Sequence, residues 1–146
     1  MEIYLDNAAT TKPCPQAVAA MTATLTENWG NPSAVHHRGL QAEQAVKEAR
    51  QQVTDALGCA PDRIFFTSGG TEGDNFSLFS VAQRLGKRGR HIITTQVEHH
   101  AVLHPAAALE AQGFSVPYLP PQPDGSISKK DLAAALRQDT ILVSVM

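Results

Sequence analysis

The sequence predicts an α/β fold with a mainly parallel sheet and flanking helices, and three observations predict it. Short apolar runs alternate with helical patterns of roughly ten to fifteen residues. The strand-like runs are apolar throughout rather than alternating, as strands covered on both faces are. Glycine, proline and hydroxyl residues punctuate the changes of period, as they do between strands and helices of such folds.

The elements follow in order. Ile3 to Leu5 is a short apolar lead, and the stretch from Asp6 to Pro13 reads as a loop. Pro15 opens a helix running to about Asn28, because a proline in the first turn loses no needed N–H. The stretch Trp29-Gly30-Asn31-Pro32-Ser33 stops it. From Gly39, the residues Ala42, Ala45, Val46, Ala49, Val53, Ala56 and Leu57 recur at three- and four-residue steps, predicting one apolar helix face that ends at Gly58. Ile64 to Phe66 reads as a buried strand, and a helix is expected from about Glu72 to Leu85. Ile92 to Thr95 reads as the next strand, and a helix is expected from about His100 to Gln112. A strand from Ser115 to Leu119, a turn through Gly125 and a helix from Ser128 to about Arg137 follow, Ser128 and Asp131 having the spacing of a capping box. Ile141 to Val145 is the last predicted strand. A doubly covered strand needs neighbours on both sides, so a sequence that stops at Met146 is expected to be interrupted there.

Composition narrows the function classes. A hydrophobic share of 42% and a charged share of 18% over 146 residues predict a packed core rather than disorder. With a formal net charge of −2 and interspersed signs, no basic face for direct nucleic-acid binding is expected. No apolar run approaches the ~20 residues of a membrane span. The N-terminus lacks the basic start and apolar stretch of a signal peptide, and Cys14 and Cys59 form neither a disulfide framework nor a metal-type pair. These features together point to a cytoplasmic protein.

Three segments carry possible chemistry. In the first, from Phe65 to Asn75, glycines and hydroxyls lie between a strand and a helix start, where unpaired N–H groups and the helix dipole favour an anion such as phosphate. Gly69 and Gly70 allow close approach and Thr71 adds a hydroxyl donor; the other reading is a plain turn with Thr71 capping the helix. Glu72 and Asp74 are expected to point away from an anion and stabilise the helix start. The second segment, Gln96 to Val102, follows a strand and shares its carboxyl-end crevice with the first. A histidine there would lie against a flat cofactor or move protons; alternatively His99 or His100 is a surface or capping residue. His100 and His104 share a helix face as two zinc ligands would, but no third ligand is identifiable, and no metal is expected. The third segment, Gly30 to Gly39, reads physically as a connector.

Taken together and in order, these segments resemble the cysteine desulfurases of the class V aminotransferase group, enzymes that use pyridoxal 5'-phosphate. The matching stretches are Tyr4 to Thr11, Gly30 to Ser33 with His36, Phe66 to Asn75, Glu98 to Leu103 and Asp139 to Met146. The resemblance implies a partial large domain of the aspartate aminotransferase-like fold, with residues 1–12 at the substrate entrance and 13–146 as its first half. It implies that Gly70 and Thr71 hold the cofactor phosphate and that His99 stacks on the cofactor ring and shuttles protons. Asn7, Ala8 and Ala9 would lie near the substrate entrance, and the segment from Asn31 to His36 near the interface of a homodimer. The implied reaction takes sulfur from L-cysteine, leaving L-alanine, and passes it as a persulfide to an iron–sulfur scaffold, to tRNA thiolation or to another acceptor protein. A selenocysteine lyase, another class V aminotransferase and a phosphate-binding remnant are the alternatives. The family's Ser-x-His-Lys segment, which carries the Schiff-base lysine, is missing, and Lys12, Lys47, Lys87, Lys129 and Lys130 match no catalytic position. Cys14 and Cys59 do not correspond to the persulfide cysteine, so the 146 residues alone are expected to be inactive.

Overall fold

A computed structural model describes residues 3–146. These form two compact units, the first ending at Phe65 and the second running from Phe66 to Met146.

The first unit is helical. Helix α1 spans Pro15–Thr26 with its proline at the first turn, and α2 spans His37–Leu57. Gly58, in the left-handed conformation (φ 64°), ends α2 as predicted. His36 is the N-cap, its Nδ1 accepting from the Gly39 N–H at 3.2 Å. The approach to α2 needs two glycines: a Cβ on Gly30 would meet the Arg38 carbonyl oxygen at 2.3 Å, and one on Gly39 the Ala34 carbonyl oxygen at 2.0 Å. The connector reading of this segment therefore holds, with a packing reason for its glycines. The predicted apolar face of α2 is only partly covered: Ala42 and Thr54 are buried, whereas Val46, Val53 and Leu57 are exposed among the described residues.

The run from Ile64 to Phe66 is a correction. Ile64 has extended backbone after a short 3-10 turn at Pro61–Arg63, and Arg50 donates to its carbonyl, but the run is not a strand. Extended backbone becomes a strand only through a neighbouring ladder, and the sheet of the described residues is built from later segments.

The second unit carries that sheet. Helix α3 (Gly70–Leu85) leads to strand β1 (His91–Thr95), α4 (His100–Ala111), β2 (Tyr118–Leu119), α5 (Lys129–Ala135) and β3 (Thr140–Val143). The strand order is β2-β1-β3, and both pairings are parallel. Central β1 is buried at every position, its Ile92 and Ile93 flanked by the buried polar residues His91, Thr94 and Thr95. The strand expected over Ser115 to Leu119 narrows to two residues plus a bridge from Ser115 to His91. Leu78, Ala82, Ile92, Val102, Ala106, Leu109, Phe114 and Val116 form the core. Packed on it, α3 and α4 start close together beside the carboxyl end of β1.

Candidate active site

Local sequence places each side chain. Helix α3 begins at Gly70, with Gly69 as a cap that has no side chain to offer, so Thr71 does not cap the helix. A Cβ added at Gly69 or Gly70 would meet nothing within 4 Å, so this helix start opens onto free space. The first N–H groups of a helix have no intrahelical acceptor, and Thr71 lines a cavity at this start. Glu72 is turned back: its Oε2 accepts from the Ser68 N–H at 2.6 Å. That backbone hydrogen bond, helped by the Ser68 side chain, holds the Glu72 carboxyl below its ordinary range. Asp74 borders a separate small cavity beside Leu142 and Ser144. Both acids therefore leave the helix start to neutral donors, as the sequence suggests.

His99 follows the carboxyl end of β1 and is the N-cap of α4, its Nδ1 accepting from the Ala101 N–H at 3.0 Å. With Nδ1 committed as acceptor, the neutral ring carries its proton on Nε2. The capping reading of this histidine is thus correct. It does not compete with a site role, because the same residue borders a cavity of about 450 Å³ shared with Thr71, Asn75, Phe79, His100 and His104. His100 and His104 stand with ring centroids 5.3 Å apart. Among the described residues no group of three His, Cys, Asp or Glu side chains is arranged to hold a metal.

The structure therefore brings Thr71 and His99 together on one cavity, with Gly70 at the helix start beside them. Asn7, Ala8 and Ala9 belong to the first unit, in an exposed turn where Ala9 N–H and Thr10 N–H both donate to the Asp6 carbonyl.

The sequence profile of the class-V aminotransferases matches residues 3–146. The chain belongs to the class-V aminotransferase family. Within that family it is similar to the cysteine desulfurase IscS of Dictyoglomus turgidum, with 48% identity over 145 residues, covering 99% of this chain and 37% of the relative. Among solved structures, a NifS-like protein superposes with a TM-score of 0.92 at 40% identity, over 100% of this chain and 40% of that one. SspA, solved in complex with cysteine, superposes with a TM-score of 0.84 at 36% identity, over 94% of this chain and 40% of that one. This class-V chain thus spans a little over a third of the length of the curated relative described, and two-fifths of these solved chains.

Two further residues, Glu98 beyond the end of β1 and Asn75 on the cavity, are not singled out by reading motifs. Glu98 is buried, and its Oε1 accepts from the Thr95 hydroxyl at 3.0 Å and from the Met146 N–H at 2.8 Å, tying the end of β1 to the segment after β3. Asn75 joins α3 to α4. The signals for them were present: an acid three residues after a buried strand end, and an amide one helical turn after Thr71.

Proposed function

We propose that the cavity between the starts of α3 and α4 holds pyridoxal 5'-phosphate, and that the complete polypeptide is a cysteine desulfurase converting L-cysteine to L-alanine. The class-V family and its desulfurase relatives imply this cofactor, and the residues present fit it. The observation that carries the reading is the pairing, on one cavity, of an open helix start bearing Thr71 with the His99 ring. The exposed N–H groups of Gly70 and Thr71 and the Thr71 hydroxyl are the donors an anionic phosphate needs, and the helix dipole adds to them. His99, fixed by its cap bond, offers a ring face and an Nε2 proton. Bound pyridoxal phosphate supplies an electron sink for bond breaking at the amino acid. The chain's own residues anchor it, orient it and hold a proton beside it.

The other expectations belong to the same proposal. The complete protein works as a cytoplasmic homodimer, with Asn7, Ala8 and Ala9 at its substrate entrance, and passes persulfide sulfur to an iron–sulfur scaffold or another acceptor. Among the described residues no lysine lines the cavity, so the 146 residues alone are expected to bind the cofactor phosphate without turning over cysteine.

The test uses the polypeptide of the complete reading frame, loaded with pyridoxal phosphate and supplied with L-cysteine. With dithiothreitol present to reduce the persulfide, alanine and sulfide should appear in equal amounts, and His99→Ala should abolish most of the rate. A loaded protein that transaminates cysteine or ignores it would overturn the desulfurase assignment.

A further inference from the structure

One side chain joins the two helices that flank the cavity. Asn75 Nδ2 donates to the Thr71 carbonyl at 2.8 Å and to the Ala101 carbonyl at 3.3 Å. An amide nitrogen carries two hydrogens, so both bonds form at once. The second acceptor exists because of a proline. In a regular helix the carbonyl of residue 101 would accept from the N–H of residue 105, but Pro105 lies inside α4 and has no N–H to give. Ala101 is buried, and a buried carbonyl without its helical donor needs another. Asn75 supplies it.

The placement links this bond to the cavity. Ala101 is gripped from both sides, its N–H held by His99 Nδ1 and its carbonyl by Asn75. Asn75 also holds the carbonyl of Thr71, the residue carrying the hydroxyl donor. We propose that Asn75 is a positioning residue that locks the first turn of α3 to the His99-capped turn of α4, through the carbonyl left open by Pro105. What is positioned, a phosphate site against a ring-binding histidine, rests on the function proposed above; the lock itself rests on the hydrogen bonds.

A double-mutant cycle tests it on the polypeptide of the complete reading frame, using Asn75→Ala, Pro105→Ala and the pair. Two readouts are taken: the dissociation constant for pyridoxamine 5'-phosphate by equilibrium dialysis, and the thermal midpoint of the unloaded protein. Asn75→Ala should weaken binding about tenfold, roughly the effect of leaving one buried acceptor unsatisfied, and should lower the midpoint by a few degrees. In the Pro105→Ala background both losses should shrink to half or less, because residue 105 then donates to the Ala101 carbonyl. Asn75→Asp, equal in size but without the donors, should be no better than alanine. Equal losses in both backgrounds would overturn the lock, and a lower midpoint with unchanged affinity would reduce Asn75 to a packing role. If the unmutated protein binds no pyridoxamine phosphate, the functional reading fails. The unfolding cycle still decides the lock, since non-additive midpoints support it and additive ones reject it.

Discussion

At the scale of single residues, the start of α3 keeps its acids turned aside without removing them from the sequence. Glu72 lies one residue after Thr71, yet its carboxylate is spent on the Ser68 N–H. The Thr71 hydroxyl is left as a donor at the mouth of the helix dipole. A hydrogen bond to a charged group contributes about 1.5–3 kcal/mol. Thr71→Val, which keeps the shape and loses the hydroxyl, should therefore weaken pyridoxamine phosphate binding about 10- to 100-fold, while Thr71→Ser should stay near the original value. Equilibrium dialysis separates these cases, and equal affinities for Val and Ser would remove the hydroxyl from the site. Position alone left the glycines and Thr71 balanced between an anion loop and a plain turn, and His99 between a cap and a site residue; the family resemblance tipped both. Asn75 was less legible, because its importance depends on a proline thirty positions later in the chain whose missing N–H matters only once α3 and α4 are packed together.

At the scale of elements, the parallel sheet is held at its edges by polar side chains buried beside β1. His91 opens β1 fully buried, its Nδ1 2.8 Å from the Thr140 hydroxyl on β3. Burial, reinforced by the nearby Arg137 charge and opposed by Asp139, pushes the His91 imidazole below its usual pKa. The sign follows from the protonation states. Below the ordinary imidazole pKa of about 6.5 the unfolded chain takes up the proton that the folded chain refuses, so stability falls with pH until the lower folded value is reached. The thermal midpoint should therefore drop between pH 7.5 and 5.5, and His91→Asn, which keeps a polar atom near Nδ1 but does not titrate, should flatten that part of the profile. An unchanged slope in the variant would place the titration elsewhere. Glu98 does similar work at the other end of β1. Glu98→Ala leaves the Thr95 hydroxyl and the Met146 N–H without their acceptor and should cost about 1–3 kcal/mol in denaturant titration, whereas Glu98→Gln, which retains a side-chain oxygen, should cost less. The sequence revealed β1 through its β-branched run Ile92 to Thr95, which suits a strand buried on both faces. Ile64 to Phe66, apolar with β-favouring side chains, misled for a similar reason: composition reports what burial would suit a segment, while pairing depends on which backbone lies beside it.

At the scale of the whole chain, the two units differ in how much core each possesses. Within the described residues, buried side chains of the second unit form one continuous cluster from Leu78 to Val116 around β1. In the helices of the first unit only Gly39, Ala42 and Thr54 are buried, while Val18, Met21, Leu25 and Trp29 remain exposed. Helices without a covered apolar face draw little stability from packing and fray readily. Native-state hydrogen exchange on the 146-residue chain should accordingly show fast exchange through α1 and α2, and slow exchange at β1, α3 and α4. Leu109, which is 1% exposed in that core, gives the decisive variant. Leu109→Ala removes a fully buried side chain and should destabilise the slow-exchanging set by about 2–5 kcal/mol, with exchange in α1 and α2 unchanged. If the mutation instead accelerates both units equally, the chain unfolds as a single cooperative body, and the division at Phe65 is one of contacts alone.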